Sequence, residues 1–253
     1  MIKNILSELA DRIYPGELYC HCCGKAIDWS RPYGLCDDCM RSIKWINGRR
    51  CSKCGKLLSD NNPDDDCYNC KANSHMFDHG FTCTEYDAHD RSMVYSMKYD
   101  DKPAIARTLG EIMADRMLSE FTPSELQGGY DLLVPIPISD DRRSTRGYNQ
   151  AALLAEFFAE KTGLNYSGEI LTRTKETTAM KGLTPVERRL NLQGSFGLRR
   201  GAEHEVNGAS CLIIDDIVTT GATVDAAAAV LKENGARNVD FLSFASGADV
   251  IKS

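Results

Sequence analysis

Two adjacent carboxylates, Asp215 and Asp216, lie in the part of the chain with the clearest capacity to bind a ligand. They follow the apolar run 211–214, which predicts a buried strand that ends at the acids. The loop that comes next consists of Thr219, Thr220, Gly221, Ala222 and Thr223. An alanine-rich stretch from 224 to about 234 predicts a helix whose N-terminal N–H groups suit phosphate, whereas the two carboxylates suit hydroxyl groups. The spacing therefore predicts a site for a ribose that carries a 5′-phosphate.

Alternating strands and helices are predicted around this motif. The expected strands are 81–86, 131–138, 208–214 and 239–245, and the expected helices are 91–99, 104–118 and 148–161. Such alternation predicts an α/β fold with a mainly parallel sheet and right-handed crossovers. In such a sheet the ligand lies beyond the carboxyl ends of the strands, where the acids are placed.

Basic side chains lie in two polar segments that separate these elements. The candidates for binding pyrophosphate are Arg142, Arg143, Arg146, Arg173, Lys175 and Arg188. Guanidinium groups pair well with phosphate oxygens, and the segment that contains Arg142 follows a strand and precedes a helix, as the acids do. The alternative is that these charges are ordinary solvated surface.

Eight cysteines form an internal repeat with an offset of 31 residues. They are Cys20, Cys23, Cys36, Cys39, Cys51, Cys54, Cys67 and Cys70. Two Cys-x2-Cys knuckles at this separation suit a tetrahedral four-thiolate zinc site, which leaves no position for a catalytic water. Disulfides fit poorly, because nothing in the sequence marks an oxidising compartment. The repeat therefore predicts two structural zinc ions, with pairing inside each repeat as the simplest arrangement and a cross-braced pairing still open.

A basic stretch over residues 41–56 contains no acidic residue. Its candidate nucleic-acid contacts are Arg41, Lys44, Trp45, Arg49, Arg50 and Lys53. Positive charge beside an exposed aromatic ring suits single-stranded nucleic acid, whereas the overall charge of −6 gives no argument for it. The alternative interpretation is that these charges offset the negative zinc–thiolate centres.

The 253 residues are long enough for a metal-binding part over 1–80 and an α/β domain over 81–253. Residues 1–17 have apolar positions at helical spacing between charged ones, which predicts an amphipathic helix rather than a signal peptide. No apolar run is long enough to span a membrane, so the sequence predicts a cytoplasmic protein. His75 and His79 are interpreted as part of a polar linker.

Over nearly its full length the chain resembles the ComF family of competence proteins, of the ComFC or GntX type. The resemblance lies in the doubled cysteine pattern, the run 134–137, Arg142-Arg143, the run 146–151, Arg173-x-Lys175-x-Thr177, the run 187–192 and the acidic motif 211–223. The family usually has Arg in place of Lys175 and Gln in place of Met180.

This resemblance implies a type I phosphoribosyltransferase fold that binds phosphoribosyl pyrophosphate (PRPP) together with Mg²⁺. Asp215 and Asp216 would bind the ribose hydroxyls, and residues 219–223 would bind the 5′-phosphate. It also implies a part in DNA uptake during natural transformation, with single-stranded DNA and proteins of the uptake machinery as partners. It names no acceptor, so an enzyme and a non-catalytic PRPP-sensing or DNA-binding module both remain open.

Overall fold

The computed structural model describes residues 18–28, 30–99, 103–166, 168–174, 192 and 194–250. The predicted helix of residues 1–17 lies outside the described residues, as do Lys175, Met180 and Arg188. Within this described part of the chain, no helix combines the length and the apolar character that a membrane crossing requires.

Six strands form the sheets in the part of the chain that the structure describes. They are β1 (Gly80–Glu85), β2 (Leu132–Pro135), β3 (Leu171–Arg173), β4 (Phe196–Leu198), β5 (Ser210–Val218) and β6 (Asn238–Ser246). Four of them make one sheet in the order β1-β6-β5-β2, in which every neighbouring pair is parallel. β3 and β4 form a separate antiparallel pair. The predicted mainly parallel α/β sheet is confirmed, and β5 lies in its interior.

Helices connect and cover the strands. They are α1 (Asp37–Ser42), α2 (Tyr68–Ala72), α3 (Ala88–Tyr99), α4 (Pro103–Leu118), α5 (Pro123–Gly129), α6 (Asp140–Arg146), α7 (Gln150–Thr162), α8 (Glu203–Val206) and α9 (Ala222–Glu233). The two short helices α1 and α2 begin directly after the equivalent cysteines Cys36 and Cys67 of the two repeats. The cysteine repeat is therefore also a repeat of local structure.

Two boundaries differ from the sequence-based expectation. β5 does not end before the acids but continues to Val218, because β6 is equally long and pairs with it as far as Ser246. Residues 140–146 form helix α6 rather than an extended polar segment. Acids in the first turn of α6 and arginines in its last turn interact favourably with the helix dipole. Gly147 ends the helix in the left-handed conformation, with φ 78°.

The sheet separates two apolar layers, because side chains of a strand alternate between its faces. Leu212 and Ile214 of β5 join the layer that contains side chains of α4 and α7. Cys211 and Ile213 join the layer that contains side chains of α9.

Each cysteine repeat belongs to a different layer. Ribbon 1, defined here as residues 18–43, contributes Leu35 and Ile43 to the layer of α4 and α7. Ribbon 2, defined as residues 49–79, contributes Leu58 and Phe77 to the layer of α9. The two ribbons therefore cover opposite faces of the sheet, and each shares the core of the α/β part instead of building one of its own.

Candidate functional site

Residues 219–223 follow the end of β5 and include the first two residues of α9, Ala222 and Thr223. Gly221 occupies the N-cap position with φ 80°, a left-handed conformation that glycine adopts without strain. No side chain caps this helix end, and the first N–H with an intrahelical partner is that of Asp225, which donates to the Gly221 carbonyl at 2.7 Å. The preceding N–H groups of α9 are therefore arranged as an anion-binding N-terminus.

Asp215 and Asp216 lie near the carboxyl end of β5 and are half-buried. One carboxylate oxygen of each accepts a hydrogen bond from the next backbone N–H, from Asp216 to Asp215 and from Ile217 to Asp216, both at 2.9 Å. These local bonds fix the orientation of the carboxylates beside residues 219–223. Both acids line a cavity of ≈ 300 Å³ together with all five of those residues.

The structure brings three of the predicted basic residues to this cavity. Arg142, Arg146 and Arg173 line it, whereas Arg143 forms an ion pair with Glu169 and does not. Burial lowers the pKa of Arg173, and the nearby positive charge of Arg142 lowers this pKa further, while Asp215 acts in the opposite direction. An anion bound between the guanidinium groups of Arg142 and Arg173 would reduce their mutual repulsion. The electrostatics of the cavity therefore favour a polyanionic ligand.

Gln150 is a cavity residue that the sequence interpretation did not select. Its side chain is 3% exposed, and its Oε1 accepts a hydrogen bond from Arg146 at 3.0 Å. Among the described residues nothing bonds its Nε2, although this atom is buried and the residue lines the cavity. The neighbouring Asn149 is structural, because it caps α7 and donates to the Ile136 carbonyl at 3.1 Å. The available sequence signal was the run 146–151, which contains both Arg146 and Gln150 and was one of the motifs that carried the family resemblance.

The eight repeat cysteines form two clusters. One contains Cys20, Cys23, Cys36 and Cys39, the other Cys51, Cys54, Cys67 and Cys70, and the sulfur atoms of each cluster lie within 4.8 Å of one another. Sequential pairing is therefore the observed arrangement, and the cross-braced alternative is wrong. The Sγ–Sγ distances Cys23–Cys36 and Cys54–Cys67 are both 3.7 Å, close to the roughly 3.8 Å between two corners of a tetrahedron with Zn–S bonds of about 2.3 Å. Each cluster thus fits zinc.

Cys51 illustrates the chemistry of these clusters. The pKa of Cys51 is lowered to about 6, and hydrogen bonding by the Cys54 side chain is the largest influence on this pKa. The same hydrogen bonding raises the pKa of Cys54, so the two thiols share a proton that zinc binding would release, because a thiolate is the form that binds zinc. All eleven cysteines of the chain are described, and they are free of disulfides.

The basic stretch is held largely by contacts inside the protein. Trp45 is half-buried rather than exposed, and its Nε1 donates to the Met40 carbonyl at 2.8 Å. Lys53 donates to the Asp78 carbonyl at 2.9 Å. The other contacts are ion pairs of Arg41 with Asp38, Lys44 with Glu85 and Arg50 with Glu120, and hydrogen bonds from Arg49 to the carbonyls of 62–64. The ring is therefore less exposed than expected, whereas the side chains of Arg41 and Lys44 remain 73% and 56% exposed in spite of their ion pairs. Contact with nucleic acid stays a prediction.

Comparisons with known proteins agree with this geometry. Residues 9–71 match the double zinc ribbon domain, and residues 144–249 match the phosphoribosyl transferase domain. The DNA utilization protein YhgH of Salmonella typhimurium is 28% identical over 207 residues, which cover 82% of this chain and 88% of that protein. Competence protein F of Haemophilus influenzae is 26% identical over 206 residues, with 81% and 87% covered. Competence protein ComFC of Streptococcus pneumoniae is 26% identical over 210 residues, with 83% and 86% covered.

Among solved structures, the glutamine PRPP amidotransferase from B. subtilis shares 18% identity with this chain at a TM-score of 0.37. The match covers 58% of this chain and 30% of that one. The two domain matches show that the chain joins a double zinc ribbon to a phosphoribosyltransferase domain. The three relatives, which match over most of their length, are named for DNA utilization and for competence.

Proposed function

We propose that the cavity at the end of β5 binds PRPP. The observation that carries the proposal is the presence of three kinds of partner around one space of ≈ 300 Å³: two carboxylates, a helix N-terminus with a glycine loop, and three arginines. PRPP offers vicinal hydroxyls, a 5′-phosphate and a pyrophosphate, which match these three partners in turn. No single part of the cavity would select this ligand, but the combination does.

Mg²⁺ belongs to the proposal. Mg²⁺ is usually held by one or two carboxylates and by oxygens of the substrate phosphates, rather than by a complete protein cage. Asp215 and Asp216 fit that pattern, because the described residues supply these two carboxylates to the cavity and no cluster of three. When bound beside Asp215 and Asp216, Mg²⁺ would supply positive charge that offsets the negative charge of the pyrophosphate.

The same arrangement suits transfer of the phosphoribosyl group. In such a transfer the bond from the ribose C1 to pyrophosphate breaks, a bond from C1 to a nucleophile forms, and positive charge develops on the sugar. Asp215 and Asp216 would orient the ribose, and Arg142 and Arg173 would stabilise the departing pyrophosphate. The acceptor is not specified by these residues, so pyrophosphate release with a panel of bases, amines and single-stranded DNA is the assay for turnover.

The biological setting follows from the relatives. Their names assign them to DNA utilization and to competence. We therefore propose that this chain acts in the uptake or use of DNA, in the cytoplasm, and that PRPP is its small-molecule ligand.

The test of PRPP binding is removal of both acids. We expect Asp215→Ala with Asp216→Ala to weaken PRPP affinity at least about tenfold, because each hydrogen bond between a hydroxyl and a charged group contributes on the order of 1.5–3 kcal/mol. The measurement is calorimetry with PRPP and Mg²⁺. The matched control is Asp37→Ala with Asp38→Ala, which removes two adjacent exposed acids of ribbon 1, away from the cavity. Parent-like affinity in the folded Asp215/Asp216 variant would contradict the proposed site.

A further inference from the structure

Residues 219–223, which we call the phosphate loop because of the proposed ligand, have backbone carbonyls that accept hydrogen bonds from side chains of ribbon 2. Lys56 is 5% exposed, and its Nζ donates to the Thr219 carbonyl at 3.2 Å. The side-chain Nδ2 of Asn69 donates to the next carbonyl, that of Thr220, also at 3.2 Å. Two consecutive carbonyls of the loop are therefore fixed by a segment that lies more than 140 residues earlier in the chain.

His75 supports the glycine at the start of α9. Its side chain is 1% exposed, and its Nδ1 lies 2.7 Å from Oδ2 of Asp225 in the first turn of that helix. The other carboxylate oxygen of Asp225 accepts from the Met76 N–H at 2.8 Å. A Cβ added to Gly221 would lie 3.2 Å from the Cε1 atom of the imidazole, so the ring packs directly against this glycine.

The internal repeat shows that these contacts are not needed to build a zinc ribbon. With the offset of 31 residues, Lys56 corresponds to Lys25 and Asn69 corresponds to Asp38. In ribbon 1 these two residues form an ion pair at 3.3 Å with side chains 65% and 67% exposed. The same two positions therefore face solvent in ribbon 1 and contact the phosphate loop in ribbon 2.

We infer that Lys56, Asn69 and His75 are positioning residues for the 5′-phosphate site, and that ribbon 2 is a structural part of that site. An anion-binding loop gains from backbone N–H groups that are already oriented before the ligand arrives. Side chains that fix the carbonyls of Thr219 and Thr220 also fix the peptide planes to which the neighbouring N–H groups belong. The inference rests on the proposed function as far as the ligand is concerned.

The test compares Lys56→Met with the matched variant Lys25→Met. Each change keeps the length of the side chain and removes its ammonium group, so the zinc knuckles are altered equally. We expect Lys56→Met to weaken binding of PRPP with Mg²⁺, and of ribose 5-phosphate, by roughly fivefold to tenfold, because it removes the ammonium donor that holds the Thr219 carbonyl. Lys25→Met should stay within about twofold of the parent, since exposed ion pairs contribute little.

A second readout needs no ligand. Hydrogen exchange of the peptide that covers 219–225 should be about tenfold faster in Lys56→Met than in the parent, and unchanged in Lys25→Met. If the parent does not bind PRPP but the loop still exchanges faster in Lys56→Met, the proposed function fails while the positioning role stands. If the parent binds PRPP and Lys56→Met matches it in both affinity and exchange, the positioning role is overturned.

His75→Phe provides a second test of the inference in case Lys56→Met does not fold. Phenylalanine keeps a ring that can stack on Phe77, which lies 4.7 Å away between ring centroids, but it cannot bond Asp225. Elemental analysis and the melting temperature verify that the second cluster still holds its metal. With zinc retained, faster loop exchange and weaker PRPP binding in His75→Phe would support the inference, and parent-like values in both would overturn it.

Discussion

Ribbon 1 and ribbon 2 share one cysteine pattern and one fold but attach to the α/β domain in different ways. Ribbon 1 lies against α4, where Tyr33 donates to Asp115 at 2.8 Å and His21 bonds Thr108 at 3.0 Å. Neither contact reaches the candidate site. Ribbon 2 lies on the opposite face of the sheet and contacts the phosphate loop through Lys56. One copy of the duplicated metal-binding module thus packs against helix α4, and the other contacts the loop of the candidate site.

The C-terminal segment strengthens the attachment of ribbon 2. Asp249 is 7% exposed, and its Oδ1 accepts from the Tyr68 N–H at the start of α2 at 2.9 Å. Its Oδ2 accepts from the Ser59 N–H at 3.2 Å and from the Asn62 side chain at 2.9 Å. A buried carboxylate with three donors is well compensated. Ribbon 2 is therefore attached to the segment that follows β6 as well as to the loop that follows β5.

The largest expected difference between the two ribbons is in the effect of losing one metal site. The equivalent changes are Cys36→Ser and Cys67→Ser, and elemental analysis should fall from about two zinc ions per chain to about one in each. We expect both to lower the melting temperature, by roughly 10 °C or more, because a structural metal contributes several kcal/mol of folding energy. Only Cys67→Ser should also abolish measurable PRPP binding, because only ribbon 2 supports the loop.

Calorimetry with PRPP and Mg²⁺ on the two single-zinc proteins decides this point. Equal loss of affinity in both variants would mean that the ribbons act through global stability and not through their different positions. A metal-free ribbon that remained folded would contradict the structural role of zinc itself.

A smaller effect should distinguish two glycines with similar backbone geometry. Gly221 has φ +80° and faces the His75 ring, whereas Gly201 has φ +85° and no atom within 4 Å of an added Cβ. Gly201→Ala should reduce the free energy of unfolding by about 1 kcal/mol through backbone strain alone. Gly221→Ala should cost about 2–3 kcal/mol, because the buried imidazole would also have to shift. Urea unfolding measures the difference, and equal costs would show that the contact between loop and ribbon is loose.

The smallest expected effect concerns the basic stretch. Arg50 pairs with Glu120, which also bonds Arg116 at 2.8 Å, whereas Arg41 is 73% exposed and pairs only on the surface with Asp38 in the contacts described. We expect Arg50→Ala to lower the free energy of unfolding by about 0.5–1 kcal/mol and Arg41→Ala to change it by less.

The same two variants test the nucleic-acid hypothesis. If the stretch contacts single-stranded DNA, removal of either charge should weaken binding and flatten its dependence on salt concentration. Unchanged DNA binding in both variants would mean that these residues only form ion pairs within the protein.

Short-range patterns in the sequence were sufficient for the elements that carry the chemistry. The spacing of the cysteines predicted two four-thiolate zinc sites, because each knuckle places two ligands locally, but the structure decided that the knuckles pair inside each repeat. The apolar run, the acids and the loop around Gly221 determined a strand, a turn and a helix in that order. Alternation of strands and helices was sufficient for the parallel sheet.

Only the tertiary structure decided which polar groups meet. Arg142 and Arg143 are adjacent in sequence, yet one lines the cavity and the other pairs with Glu169, because the two lie about 100° apart around helix α6. The length of β5 beyond Ile214 depended on the partner strand β6, which no local pattern reports. Lys25 and Lys56 stand at the same place in two copies of one motif, and only the face of the sheet on which each copy docks determined that one is solvated and the other holds the phosphate loop.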